Sequence, residues 1–131
     1  MMSKPGATGF KKLVDSTRYS WWGFKSAWKN EEAFRHEVRL AVIMTPLAFL
    51  IGEDHTHSLL LILSVGLVLL AEIINTALES VVDRIGVERH PLAGQAKDLG
   101  SSAVFLSLLI AGIIWISSIW RFFYGSDGLF S

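Results

Sequence analysis

In the stretch AEIINTALESVVDRI, residues 71 to 85, Glu72, Asn75, Glu79 and Asp83 recur every three or four residues, directly after the uncharged run Ser58 to Leu70. On an ideal helix, advancing about 100° per residue, the four fall within an arc of roughly 80° and form one polar stripe. Ionisable groups at membrane depth cost on the order of a few kcal/mol, so they are normally paired, turned toward protein, and functional. Two carboxylates with an amide suit a hard divalent cation that keeps some water and also takes phosphate oxygens, a description that fits Mg²⁺ better than zinc. Glu72 is the deepest of the set, where poor hydration makes a carboxylate a stronger proton acceptor. The gradient divides the labour, with Glu72 for a proton and Glu79 for a metal. The structural use of such a stripe is an interhelical polar clasp.

Phosphoryl transfer needs further groups, and the sequence supplies candidates. NEEAFRHE, residues 30 to 37, places Glu31 at the start of an apolar segment, about where Glu79 lies on the next, so one carboxylate from each could share a cation. GQAKDLGSS, residues 94 to 102, offers Lys97 and Asp98, with Lys97 available to neutralise phosphate charge. There is no Walker-type phosphate loop and no protein-kinase motif set, so a kinase here must use another architecture. The chain has no cysteine, which excludes disulfides, thiol nucleophiles and cysteine metal sites. His55 and His57 in GEDHTH lack a third ligand and read as solvated loop residues.

The elements that must hold these groups are helices in a membrane. The 131 residues are 51% hydrophobic, which predicts one all-α membrane domain over residues 1 to 131. Spanning takes about 20 mostly apolar residues. SSAVFLSLLIAGIIWISSIW meets this without a charge, giving a span over about 101–121. A second span over about 57–82 must carry the polar stripe in its final turns. A third, over about 33–52, contains Arg39 and Pro46, with a kink expected at the proline. Eight cations (Lys4, Lys11, Lys12, Arg18, Lys25, Lys29, Arg35, Arg39) precede or open the first span. Arg84, Arg89 and Lys97 lie in a loop expected over 83 to 100, and only Arg121 lies on the other side. The N-terminus and that loop are therefore expected to be cytoplasmic, with GEDHTH and the C-terminus facing out.

Ahead of the spans, residues from about 8 to 29 interleave Lys and Arg with Phe10, Tyr19, Trp21, Trp22, Phe24 and Trp28. That mixture predicts an amphipathic helix lying among lipid headgroups. A formal net charge of zero argues against nucleic acid as a partner. The N-terminal residues lack the apolar stretch and cleavage site of a signal peptide, so the mature chain is expected to keep them. Ala103, Ser107 and Ala111 form a small-residue stripe suited to close helix packing.

EIINTALESVVD followed by AKDLGSS, with YSWWGFKSAWKNEEAFRHE upstream, resembles the signature of the small integral-membrane diacylglycerol kinases of bacteria over roughly residues 9 to 123. The resemblance implies a homotrimeric bundle in the inner membrane, each subunit carrying a surface helix and three transmembrane helices, with active sites shared between subunits. It implies transfer of the γ-phosphoryl of MgATP to diacylglycerol, giving phosphatidic acid. Carried over by position, Glu72 is the general base supported by Asn75, and Glu31 and Glu79 hold Mg²⁺. Lys12, Tyr19, Glu31, Glu79, Glu88, Arg89, His90, Lys97 and Asp98 are expected at the nucleotide, and Ser20, Trp21, Arg35, Glu37, Glu72, Ser101 and Trp115 at the lipid. Lys12 stands where the family commonly has arginine, and Glu32 adds a carboxylate where it usually has a small residue. The tail GSDGLFS extends past the resemblance. Two other functions fit the residues: an undecaprenol kinase, as related proteins of this architecture are, or a noncatalytic cation-binding membrane protein.

Overall fold

The structure, a computed structural model, describes residues 8 to 126, which form four helices joined by short turns, with no strand among them. The helices are α1, Gly9–Asn30; α2, Glu32–Ile51; α3, His55–Ile85; and α4, Pro91–Tyr124. Lys4 and residues 127 to 131 of the tail lie outside the described residues. At a rise of about 1.5 Å per residue, α3 and α4 are about 47 and 51 Å long, well beyond a hydrocarbon core of roughly 30 Å. Both are apolar enough to cross a membrane, and both must project from it by several turns.

The loop expected over residues 83 to 100 is far shorter, since α3 runs to Ile85 and α4 begins at Pro91. Proline at the first helical position already has the required φ, and His90 Nδ1 caps the helix by accepting from Leu92 N at 3.1 Å. Hydropathy marks where a helix leaves lipid, whereas Lys97, Asp98 and Gly94 break the apolar run without ending the helix. α2 continues through Pro46. It does not match α3 and α4 as a span by composition: Glu32, Arg35, Glu37 and Arg39 crowd its first two turns. The uncharged remainder, residues 40 to 51, extends about 18 Å.

α3 packs along both α4 and α2, and α1 rests mainly on α2. Each partner in the main pair buries a stripe rich in small side chains, namely Ser58, Leu61, Ser64 and Val68 on α3 and Ser107, Ala111, Trp115 and Ser118 on α4. Small residues let two backbones approach, which is how helices gain contact in lipid. Of the expected stripe, Ser107 and Ala111 take this role, while Ala103 is exposed. Trp115 closes the core with Ala48 and Leu61, and its indole N–H donates to Leu61 O at 3.2 Å and to Ser64 Oγ at 3.1 Å. The outward faces of α3 and α4 present Leu63, Leu70, Phe105, Leu109, Ile113 and Ile116, a composition suited to lipid or to another subunit.

His57 corrects the expectation of a solvated loop. Asp54 caps α3 by accepting from His57 N at 2.8 Å, placing the imidazole inside the first turn. Its Nδ1 accepts from Glu53 N, so Nε2 carries the proton and donates to Ser118 Oγ at 2.8 Å. Arg121 and Glu53 pair beside it at 2.6 Å. These contacts tie together the end of the bundle opposite the acidic stripe.

Candidate functional site

The site is built where three helices converge at the end holding Arg84, Arg89 and Lys97. Glu31 is the single extended residue between α1 and α2, with φ −116° and ψ 107°. The break is held from both sides: Glu31 N donates to Ala27 O at 2.9 Å, and Arg35 reaches back to donate through Nη1 to Trp28 O at 2.7 Å and Lys29 O at 3.1 Å. The carbonyls at the end of α1 are thereby satisfied by a cation, the favoured charge at that end of a helix. Arg39 lies 5.5 Å from the Trp28 ring and strengthens the same corner. A carboxylate is left at the apex of a braced turn.

Glu72 on α3 sits within hydrogen-bonding reach of Glu37 on α2, and within electrostatic reach of both Glu31 and Glu79. One helical turn along, Asn75 Nδ2 donates to Glu79 Oε1 at 3.3 Å. Glu31, Glu37, Glu72 and Glu79 therefore form one cluster drawn from the α1–α2 corner, α2 and α3. Among the described residues, no three acidic or histidine side chains converge tightly enough to hold a metal by themselves. Mg²⁺ does not demand such a cage, since it binds through one or two carboxylates and completes its shell with water and phosphate. Glu31 and Glu79 fit that requirement.

Toward the membrane interior, Glu37 forms the polar end of a groove of about 250 Å³ between α2, α3 and α4. Met44, Val65, Val68, Leu108 and Ala111 line its length, and Trp115 closes the far end. Trp115 thus reaches the lipid-assigned region while remaining a core residue. On the opposite side of the cluster, Asp83, Glu88, Arg89, His90 and Lys97 line a recess of about 490 Å³. Here Lys97 Nζ meets Asp83 Oδ1 at 2.7 Å, joining α4 to the last turns of α3. The hydrogen bond to Asp83, that residue's charge and, more weakly, the charge of Glu79 hold the Lys97 ammonium above the usual lysine range against a small loss of hydration.

Other assigned residues stand apart. Lys12 and Ser20 are exposed on α1, where Ser20 Oγ donates to Ser16 O at 2.9 Å. Trp21 is exposed with Lys25 Nζ 5.5 Å from its ring, and Tyr19 packs against Trp22 with centroids 5.7 Å apart. None of these lines the recess around Lys97. Ser101 is exposed on α4, and Asp98 is not among the recess residues. Arg35 directs its guanidinium to the end of α1 and positions Glu31.

The chain is similar to known proteins over most of its length. A family model for prokaryotic diacylglycerol kinases matches residues 18–119. A diacylglycerol kinase of Haemophilus influenzae is 56% identical over 108 residues, covering 82% of this chain and 92% of that protein. One from Escherichia coli K12 is 44% identical over 116 residues, 88% of this chain and 95% of its own length. One from Pseudomonas aeruginosa is 42% identical over 110 residues, covering 84% and 89%.

Proposed function

Because the chain belongs to the prokaryotic diacylglycerol kinase family, we propose that it is a membrane-embedded lipid kinase that transfers the γ-phosphoryl of MgATP to the hydroxyl of diacylglycerol. One observation supports the assignment of groups most strongly. Glu72 stands between an apolar groove that ends at Glu37 and a recess whose lining includes the charged side chains of Asp83, Glu88, Arg89 and Lys97. Acyl chains suit the groove, phosphates suit the recess, and the carboxylate between them is placed to receive the proton.

In the step itself, the lipid hydroxyl oxygen bonds to the γ-phosphorus, its proton passes to Glu72, and the bond to the β–γ bridging oxygen breaks, so that ADP leaves. Mg²⁺ at Glu31 and Glu79 neutralises phosphate charge when bound. Lys97 adds a further positive charge beside the phosphates, and Asn75 holds the Glu79 carboxylate in place. Little covalent work falls to the protein, so positioning and charge neutralisation carry the acceleration.

Asp83 then holds the Lys97 ammonium before nucleotide arrives and competes with the phosphates for it. Asp83→Asn removes a competitor for Lys97 and a negative charge beside the phosphates. The KM for MgATP is expected to fall, by at most about fivefold for a pair this exposed. An unchanged or increased KM in steady-state assays would remove Asp83 from this role.

The groove is tested through Gly112, which lines it and has open space where a side chain would begin. Gly112→Leu narrows the groove without touching a carboxylate. It is expected to raise the KM for dioleoylglycerol by about tenfold, the loss of roughly 1.4 kcal/mol of lipid contact, and to spare the KM for MgATP. The same lipid KM in both proteins would put the acyl chains elsewhere.

A homotrimer with shared sites accounts for the remaining residues. Lys12 and Tyr19 lie on α1, away from the recess of their own chain, and a neighbouring subunit could bring its α1 to that recess. The short uncharged part of α2 supports the same reading, because a third span with a charged opening is best accommodated inside a bundle. The charge distribution supports an inner-membrane protein with its N-terminus cytoplasmic and its C-terminus periplasmic. The relatives bear the name diacylglycerol kinase, which favours this activity over undecaprenol phosphorylation and over a noncatalytic cation site.

A further inference from the structure

Gly100 lies on α4 opposite Asn75, and its backbone faces the asparagine amide directly. A methyl group placed on Gly100 would overlap Asn75 Oδ1, and would lie 3.3 Å from Asn75 Cγ and 3.6 Å from Leu78 Cδ2. Asn75 Oδ1 is buried and accepts no conventional hydrogen bond. Asn75 and Gly100 share a groove between α3 and α4 with Ile74, Leu78 and Ala103. The amide is nevertheless oriented one way. Nδ2 donates to Glu79 Oε1 at 3.3 Å, and a flipped amide would set its oxygen against a carboxylate.

We propose that Gly100 is a positioning residue for phosphoryl transfer: the missing side chain makes a seat for the Asn75 oxygen, and the seated amide aims its N–H₂ at Glu79. The α-hydrogen in the place of a side chain points at Oδ1, a weak C–H···O contact of the kind found where helices approach closely. The inference rests on the reading of Glu79 as a ligand for the nucleotide's Mg²⁺.

Gly100→Ala separates this role from a structural one. Alanine is the better helix former, so the substitution does not weaken α4 itself. The obstacle is the end of a short side chain, and the Asn75 amide relieves the overlap by turning away. The fold therefore stays while the Glu79 contact is lost. Outer-shell partners of a metal ligand typically govern about 10- to 100-fold in metal affinity or activity. The Mg²⁺ concentration for half-maximal activity is expected to rise by that factor in Gly100→Ala, with the KM for dioleoylglycerol unchanged.

Two further readouts complete the test on the full-length protein in micelles. In an Asn75→Ala background, Gly100→Ala is expected to add nothing, because the residue it acts through is gone. The side-chain ¹⁵N amide signal of Asn75, assigned by its disappearance in Asn75→Ala, is expected to shift in Gly100→Ala without any substrate present. Additive losses in the double variant, or an unmoved amide signal, overturn the proposal. A shifted amide signal with wild-type Mg²⁺ dependence confirms the seat and overturns instead the assignment of Glu79 to the metal.

Discussion

Glu72→Gln is expected to reduce phosphoryl transfer to diacylglycerol by about 10²- to 10⁴-fold, the range contributed by a positioned general base. Glutamine keeps the shape and the hydrogen-bonding reach toward Glu37 but cannot accept the hydroxyl proton. The substitution also removes one negative charge from a site crowded by Glu31, Glu37 and Glu79, so the fold has no electrostatic reason to weaken. The recess containing Lys97 is untouched, and the KM for MgATP is expected to stay near the wild-type value. Steady-state kinetics in mixed micelles would check this. A large rise in the nucleotide KM with kcat preserved would move Glu72 out of proton transfer and into nucleotide binding.

Glu79→Gln is the second large effect. Its Oε1 accepts from Asn75 Nδ2, and the glutamine amide oxygen can accept the same bond, so the local geometry survives while the charge is lost. Outer-shell partners alone account for about 10- to 100-fold, and a direct ligand is expected to cost at least about 10²-fold at fixed Mg²⁺. The Mg²⁺ titration is the informative measurement: half-maximal activity should move to much higher metal concentration, with part of the rate recovered in excess Mg²⁺. A parallel loss at every Mg²⁺ concentration would mean that Glu79 does not bind the cation. Because Glu72 and Glu79 belong to one cluster, their effects are not expected to add.

The helical periodicity of Glu72, Asn75, Glu79 and Asp83 was readable without coordinates because a stripe on one helix depends only on spacing. The partnership of Glu72 with Glu37 was not readable, since it depends on the register of α2 against α3. Lys97 was visible as a cation near phosphates. Its pairing with Asp83 follows from helical turns beyond the membrane, which hydropathy does not report. The same limit shortened the expected loop from residues 83 to 100 to the turn between Ile85 and Pro91. His57 looked solvated from its polar neighbours, but Asp54 starts the helix early enough to turn the imidazole onto Ser118. Gly100 carries no chemical signal at all; only the position of the Asn75 oxygen shows that a side chain there would be in the way. The resemblance implied Arg35 near lipid, while its contacts with the Trp28 and Lys29 carbonyls required the corner at Glu31.

The most direct measurement is transfer from γ-³²P-labelled MgATP by the purified full-length protein, in mixed micelles holding dioleoylglycerol or undecaprenol at equal mole fraction. Labelled phosphatidic acid formed well in excess of labelled undecaprenyl phosphate is the predicted result. No label in diacylglycerol, from protein shown to be folded and to bind nucleotide, would contradict the account.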